Sequence, residues 1–381
     1  LSFPLQYEGF ANLTLSVKGE GQTQRAGIDR REGVNAVKTH FGVPESENFL
    51  ATFNAEMPLR NDMVLYSNAL FDYRDSEASA FYRTPDPDRV LSPEGFLPMI
   101  NAEIIDYSLT TGVKGEIGDG YFWDVSNVVG YNSFEFGVTN SMNYSLGINS
   151  PTSFENGQLS FLQDTLNFDL IKTVGSFDLA GGLEYRYENY QIQEGDFESY
   201  TETGSQGFAG FKPENTVDAS RHSYALYVDT VYHFNEDLDF EGAGRFEDYS
   251  DFGATINGKL SMSYKLIPEL LLRSSASTGF RAPSLAQTSY SQVSSFSESN
   301  TGALSRQGTF QTNDIIAKSL GAKPLKAETS KHITAGFVYQ PIKDMSFIID
   351  YFFTAVDDRI MLSNDLEGTT EAQKAILAEN G

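Results

Sequence analysis

From about residue 10 to residue 356, apolar and polar side chains alternate in long runs, and no helical period of useful length appears before the last residues. In 254–266 the even positions are Ala254, Ile256, Gly258, Leu260, Met262, Tyr264 and Leu266, while the odd positions are Thr255, Asn257, Lys259, Ser261, Ser263 and Lys265. A strict period of two is the mark of a strand whose two faces meet different surroundings. Residues 177–188 set Phe177, Leu179, Leu183, Tyr185 and Tyr187 against Asp178, Glu184, Arg186 and Glu188. Residues 345–355 set Met345, Phe347, Ile349, Tyr351 and Phe353 against Ser346, Asp350 and Thr354.

Read this way, the chain predicts thirteen strands: 10–18, 48–58, 62–76, 103–115, 119–133, 158–172, 176–192, 221–234, 237–249, 254–266, 269–280, 331–340 and 344–356. The segment 158–172 alternates poorly, which predicts a bulge near Gln163 and Asp164. Connections alternate in length as well. One set is short: Gln6 to Gly9, Arg60-Asn61, Ile117-Gly118, Val174-Gly175, Asn235-Glu236, Ile267-Pro268 and Pro341 to Lys343. The other set is 19–47, 77–102, 134–157, 193–220 and 281–330, with only Ser250 to Gly253 short. Such alternation places all long loops at one end of an up-and-down antiparallel sheet. Residues 371–380 read as a short helix.

Most of these strands exceed the usual five or six residues and reach the about 9–11 that a tilted membrane-crossing strand needs. Aromatics gather near strand ends, at Tyr121, Trp123, Tyr232, Phe234, Tyr264, Phe280 and Tyr339, as interfacial girdles do.

Composition narrows the setting. The 381 residues include 29 Phe, 20 Tyr and 33 Gly, which suit strands and turns. Cysteine is absent, which excludes a disulfide framework and thiolate metal sites. A net charge of −25 repels nucleic-acid phosphates, so nucleic acid is not an expected partner. No apolar run is long enough for a membrane helix, but a membrane barrel hides its hydrophobicity in alternation. The chain starts at an apparent strand end, Leu1-Ser2-Phe3-Pro4, and reads as a fragment.

A soluble sandwich would bury its apolar face and wet its polar one, and its strands would be short. Here the strands are long, and the polar faces carry both charge signs on neighbouring strands, Asp239, Glu241 and Glu247 beside Lys259 and Lys265. Facing a wet lumen, such pairs contribute roughly 0.2–1 kcal/mol each. Facing lipid, a midplane Lys or Arg costs about 2–4 kcal/mol. The pattern therefore predicts an all-β fold, a transmembrane antiparallel up-and-down β-barrel. Closure is required in hydrocarbon, so the visible strands are expected to be part of a larger barrel.

The run GRFEDYSDFGATINGKLSMSYKLIPELLLRSSASTGFRAPSLAQ (244–287) resembles the barrel signature of TonB-dependent outer-membrane receptors. LKAETSKHITAGFVYQPIKDMSFIIDYFFTAVDDRI (325–360) is similar to the same family in its L-x-x-E-x-S, G-x-x-Y and D-Y elements. SPTSFENGQ (150–158) and GGLEYRYE (181–188) add to the resemblance, which covers most of the chain. Arg273, Gly279, Phe280, Arg281, Ala282, Pro283 and Glu328 carry the signature. The resemblance implies a barrel of about 22 strands with an N-terminal plug, so that 1–381 would be a partial barrel domain truncated at both ends. It implies the outer membrane of a Gram-negative bacterium and uptake of a scarce nutrient, most often a ferric siderophore, sometimes cobalamin or an oligosaccharide. It also implies energy from TonB, gripping a box before the plug; both box and plug are absent from these residues. The other readings are a passive porin, which needs no plug, and a non-transport all-β surface adhesin.

Catalysis has little support. Asp357-Asp358 reads as a solvated turn, and His40, His222, His233 and His332 lack ligand spacing. The acidic loop 194–202, EGDFESYTE, has oxygen ligands at a spacing calcium could use, with a solvated loop the simpler reading. Loops on a rigid scaffold carry recognition. In loop 77–102, Phe81, Tyr82, Arg83 and Arg89 could stack on or pair with an anionic chelate such as a ferric chelate, or stack on a sugar, with interfacial anchoring as the alternative.

Overall fold

The computed structural model describes residues 1–5, 8–31, 34–297 and 304–380. Its strands in chain order are β1 (Ser2–Pro4), β2 (Phe10–Glu20), β3 (Glu45–Pro58), β4 (Val64–Ser79), β5 (Met99–Ile117), β6 (Tyr121–Thr139), β7 (Phe154–Val174) and β8 (Phe177–Gln193). There follow β9 (Val217–Asn235), β10 (Leu238–Tyr249), β11 (Gly253–Ile267), β12 (Leu270–Arg281), β13 (Gln292–Ser297), β14 (Leu304–Thr309), β15 (Glu328–Ile342) and β16 (Met345–Asp357). Fourteen of them form one sheet, β1 to β12 in sequence and then β15 and β16, with every neighbouring pair antiparallel. β1 and β16 are its two edges.

All thirteen expected strands are present, and the expected helix at 371–380 forms as α4 (Glu371–Asn380). The turn expected at Gln6 to Gly9, and the middle of the loop expected at 281–330, fall partly outside the described residues. That long loop is not structureless. It carries α2 (Leu285–Ser289), the β13–β14 hairpin and α3 (Ile315–Ser319). The Ser-x-x-Gln of α2 is a capping box: Ser284 Oγ accepts from the Gln287 amide and Gln287 Oε1 accepts from the Ser284 amide, both at 3.1 Å.

The alternation sorts into two faces as expected. Leu179, Leu183, Leu226, Val228, Ile256, Leu260, Ile333 and Ile349 are exposed on the outer, apolar face. On the inner face Lys259 Nζ meets Glu241 Oε1 at 2.6 Å across β10 and β11. Leu270, Leu272 and Ala276 take the outer face of β12, while Arg273, Ser275 and Ser277 take the inner.

The bulge expected at Gln163 and Asp164 is not there; the β6–β7 and β7–β8 registers run unbroken through both residues. The break lies higher, where Phe136 pairs with Gly157 but Gly137 pairs with Glu155, so that Asn156 is the extra residue. The poor alternation of 158–172 has another cause. β7 is 21 residues long, or roughly 70 Å at about 3.3 Å per residue, far more than a hydrocarbon layer of about 30 Å requires. Its upper end stands outside the membrane, so the polarity of its faces changes there. Leu159 and Phe161, on the inner face, join an apolar cluster of buried Tyr190, Ile192, Phe211 and Leu285.

Three inner-face contacts share one geometry. Tyr66 on β4 reaches over Gly112 on β5 to Asp124 on β6, its hydroxyl 2.8 Å from Oδ1. Tyr227 on β9 reaches over Gly182 on β8 to Asp169 on β7. Arg273 on β12 reaches over Gly336 on β15 to Asp350 on β16, at 3.0 and 2.6 Å. In each case a Cβ on the middle glycine would collide with the side chain passing over it or with the carboxylate it meets. These glycines are saddles that let one side chain tie a strand to its second neighbour.

Candidate functional site

The short turns form one rim, and the opposite rim carries the loops 80–98, 140–153, 194–216 and 282–327. Several of these loops fold over the upper wall and one another. Asn143, fully buried, donates from Nδ2 to the carbonyls of Glu198 (2.8 Å) and Thr201 (2.9 Å), joining the second loop to the third. Asn156, the bulge residue and also fully buried, donates to Ser205 Oγ (2.8 Å) and the Phe208 carbonyl (2.6 Å). Phe208 stacks on Phe136 at 4.7 Å, and Phe211 meets Tyr290 edge-on. The loop layer is thus seated by both polar and aromatic contacts.

Six of the seven signature residues converge at the root of the largest loop, while Arg273 lies toward the short-turn end of β12, bonded to Asp350. Arg281 clamps Glu328 with two bonds, 3.0 and 2.6 Å, and Glu328 Oε1 also accepts the Ile360 amide at 2.7 Å. Gly279 faces inward, where a Cβ would lie 2.8 Å from Ser330 Oγ. Pro283 is buried, and half-buried Ala282 precedes it as the chain leaves β12. The Pro283 carbonyl accepts from Arg221 Nη1 at 2.7 Å. Arg221 is itself buried; its Nε donates to Glu188 Oε2 at 2.6 Å and its guanidinium lies 5.4 Å from the Tyr249 ring. Phe280, expected in the outer girdle, is half-buried and packs edge-on to Tyr249 (5.9 Å) and against Phe252. β12 parts from β11 above the Lys259–Ser277 pair, and these rings close the gap.

Loop 80–98 distributes its four candidates differently from one another. Phe81 is 66% exposed and meets Phe41, 52% exposed, edge-on at 6.0 Å, an open aromatic ledge. Tyr82 is buried, its hydroxyl donating to the Glu94 carbonyl at 2.9 Å. Arg83 donates to Gln206 Oε1 at 2.9 Å, across 123 residues of chain. Arg89 lies 4.9 Å from the Tyr144 ring centroid, and burial pushes the Tyr144 hydroxyl up, opposed by Arg89 and Arg83. Below the loops, the inner face of β3 to β7 carries an open concavity of about 650 Å³ lined by Asn48, Asp72, Arg74, Asp106, Asn132 and Phe161. Arg74 Nε donates to Asn48 Oδ1 at 2.8 Å, leaving guanidinium edge toward the lumen.

Sequence reasoning passed over Arg221, Arg74 and Gly336. Gly336 stands within the G-x-x-Y element, but Arg221 and Arg74 carry no local motif. Among the described residues no three His, Asp or Glu side chains converge as a metal site would require. In the acidic loop, Asp196 accepts the Glu155 amide at 3.1 Å and precedes α1 (Phe197–Tyr200). Of the dispersed histidines, His233 comes to rest between Asp178 (3.0 Å) and Asp239 (2.7 Å) on neighbouring strands near the short-turn rim.

The family described as TonB dependent receptor-like, beta-barrel, matches residues 48–376. The vitamin B12 transporter BtuB of Photobacterium profundum is 30% identical over 106 residues, 28% of this chain and 14% of that protein. Among solved structures, the siderophore receptor PirA of Acinetobacter baumannii superposes with a TM-score of 0.61 at 15% identity, covering 94% of this chain and 49% of PirA. The ferric yersiniabactin uptake receptor FyuA of Yersinia pestis gives a TM-score of 0.54 at 13% identity, covering 94% and 51%. The chain spans about half the length of these two solved receptors and a small part of BtuB. At such identities the likeness to the solved structures establishes the fold.

Proposed function

Because this chain belongs to the TonB-dependent receptor-like β-barrel family of outer-membrane transport receptors, we propose that it is the ligand-receiving part of an active importer of a ferric siderophore or similar iron complex. The observation that carries this reading is the vertical arrangement of chemistry on one face. The exposed Phe41–Phe81 ledge stands on the loop rim, and Arg74 waits in the concavity below it. Aromatic edges and a guanidinium suit a bulky anionic chelate with flat organic arms. PirA and FyuA, which share the fold, are by name receptors for such complexes.

The energy for uptake would come from TonB, acting through a plug and a TonB-binding box as the family resemblance implies. The barrel wall then provides the outer-membrane seat and the loops provide capture. The test is uptake of ⁵⁵Fe-loaded siderophores by cells whose only receptor is the full-length protein, with radiolabelled cobalamin run in parallel. The expected result is concentrative iron uptake, abolished by removal of TonB or by a protonophore, and weakened about tenfold by Arg74→Ala through loss of a charge-assisted contact. Uptake that is indifferent to TonB would establish a passive pore. TonB-dependent uptake of cobalamin alone would refute the iron reading and keep the transport one.

A further inference from the structure

Elsewhere on the inner face, cations and carboxylates pair directly. Lys114 meets Glu56 at 3.0 Å, Arg245 meets Glu184 at 3.1 Å and Lys259 meets Glu241 at 2.6 Å. The concavity of β3 to β7 is built differently. Arg74 and Asp72 share the inner face of β4, two residues or roughly 7 Å apart along the strand, yet among the described residues no ion pair joins Arg74 to a carboxylate. Asn48 of β3 stands between the two. Its Nδ2 donates to Asp72 Oδ1 at 2.8 Å, and its Oδ1 accepts from Arg74 Nε at 2.8 Å. One neutral amide thus holds a cation and an anion apart and engages a single atom of each.

Asp106 of β5 is the register partner of Asp72. Two carboxylates therefore face each other across neighbouring strands, which is destabilising unless a cation joins them. Asn132 of β6 holds Asp106 as Asn48 holds Asp72, donating from Nδ2 to Oδ1 at 2.7 Å. Among the described residues, Oδ2 of Asp72, Oδ2 of Asp106 and both terminal nitrogens of Arg74 have no partner. All of them line the same open concavity, whose volume of about 650 Å³ is that of a small-molecule site. Leu50, Leu70 and Phe161 supply apolar lining beside them.

Unmatched charges of this kind call for groups of opposite sign. The terminal edge of a guanidinium fits a carboxylate through two parallel bonds. Two facing carboxylates fit an ammonium, whose three donors can be shared between them. A purely anionic ligand would satisfy Arg74 but be repelled by the aspartates. We propose that the concavity is a zwitterion site and that the imported ligand carries a free amino-acid group, its carboxylate held by Arg74 and its ammonium held between Asp72 and Asp106. The charges lie at opposite ends of one amide, that of Asn48, so a single compact group can reach both. This inference rests on the import reading and adds to it the chemistry of the ligand's arm.

The test is calorimetric titration of the purified full-length receptor with three neutral ferric trihydroxamate chelates that differ at one terminus: a free amino-acid group, its N-acetyl form and its carboxamide form. The zwitterionic chelate is expected to bind at least about tenfold tighter than either capped form, since each cap removes one charge-assisted contact. Asp72→Asn with Asp106→Asn should erase the preference over the N-acetyl form, and Arg74→Gln the preference over the carboxamide form. Each preference is a ratio measured on one protein sample, so a lower folded yield does not alter it. Equal affinities in the unaltered receptor, preferences that survive these substitutions, or no binding of any of the three chelates would each overturn the zwitterion site. The import reading is judged separately, by the TonB dependence of iron uptake.

Discussion

Gly182→Ala is the most exacting perturbation of the wall. The added methyl would lie 2.5 Å from Tyr227 Cε1, 2.6 Å from Asp169 Oδ1 and 2.7 Å from the Phe168 carbonyl oxygen. The first two can withdraw, at the loss of the Tyr227–Asp169 hydrogen bond; the third is backbone and cannot move without bending β7. A lost bond to a carboxylate costs about 1.5–3 kcal/mol, and overpacking costs about 1–3 kcal/mol. Partial relief of one by the other brings the sum to about 2–4 kcal/mol. At roughly 2 °C per kcal/mol for a chain of this size, the apparent unfolding midpoint falls by about 5 °C. The assay is heat-modifiable gel migration of the full-length receptor in detergent, all variants heated at one rate. Tyr227→Ala in the same background removes the ring that the methyl strikes. The double variant should therefore be more stable than the sum of the single effects predicts, by at least about 1 kcal/mol. Strict additivity would refute the saddle, because it would mean that glycine and tyrosine do not meet.

Arg221→Ala leaves Glu188 as a buried unpaired charge and the Pro283 carbonyl without its donor, so it should destabilise by about 3–5 kcal/mol and speed proteolysis within 282–327, as judged by timed digestion. Asn143→Ala should release loop 194–216 from loop 140–153, costing about 1–3 kcal/mol locally while the wall stays intact; hydrogen exchange should rise in those loops alone. Asp29 in loop 21–44 is held below its usual 3.8 by hydrogen bonds from the Arg31 side chain and amide, and the same Arg31 bonds the Tyr82 carbonyl. Its contribution is present above pH 3.8 and is lost as pH falls through the depressed value, so exchange of 21–44 should accelerate only under strong acid.

Much of this was legible in the sequence, for a physical reason. A strand between lipid and water writes its environment into every second residue, so faces, rims and thirteen of the fourteen strands of the main sheet followed from parity, while the three-residue β1 and the β13–β14 hairpin did not. The signature Arg281 and Glu328 were recognisable individually, and their mutual clamp follows once β12 is placed beside β15. What escaped was everything that depends on contacts over long chain separations. Arg83 meets Gln206 only because two loops fold against each other. The apolar inner positions Leu159 and Phe161 read as a flaw in alternation, since parity alone does not say where the membrane ends. Ser284 and Gln287 were a legible signal of α2, inside a stretch read only as one of the long connections.

The saddles bear on how the sheet finds its register. Alternation penalises a slip of one residue, which would turn every side chain to the wrong face, but it is nearly blind to a slip of two. A two-residue slip of β9 against β8 would carry the Tyr227 ring away from Gly182 and onto a neighbouring inner side chain, Ala180 or Glu184. Asp169 would lose its hydroxyl in the same step. Tyr66 over Gly112 and Arg273 over Gly336 impose the same check elsewhere in the sheet. The saddles thus work as a proofreading code laid over the binary one: the lipid pattern rejects odd errors in strand pairing, and the glycines reject even ones.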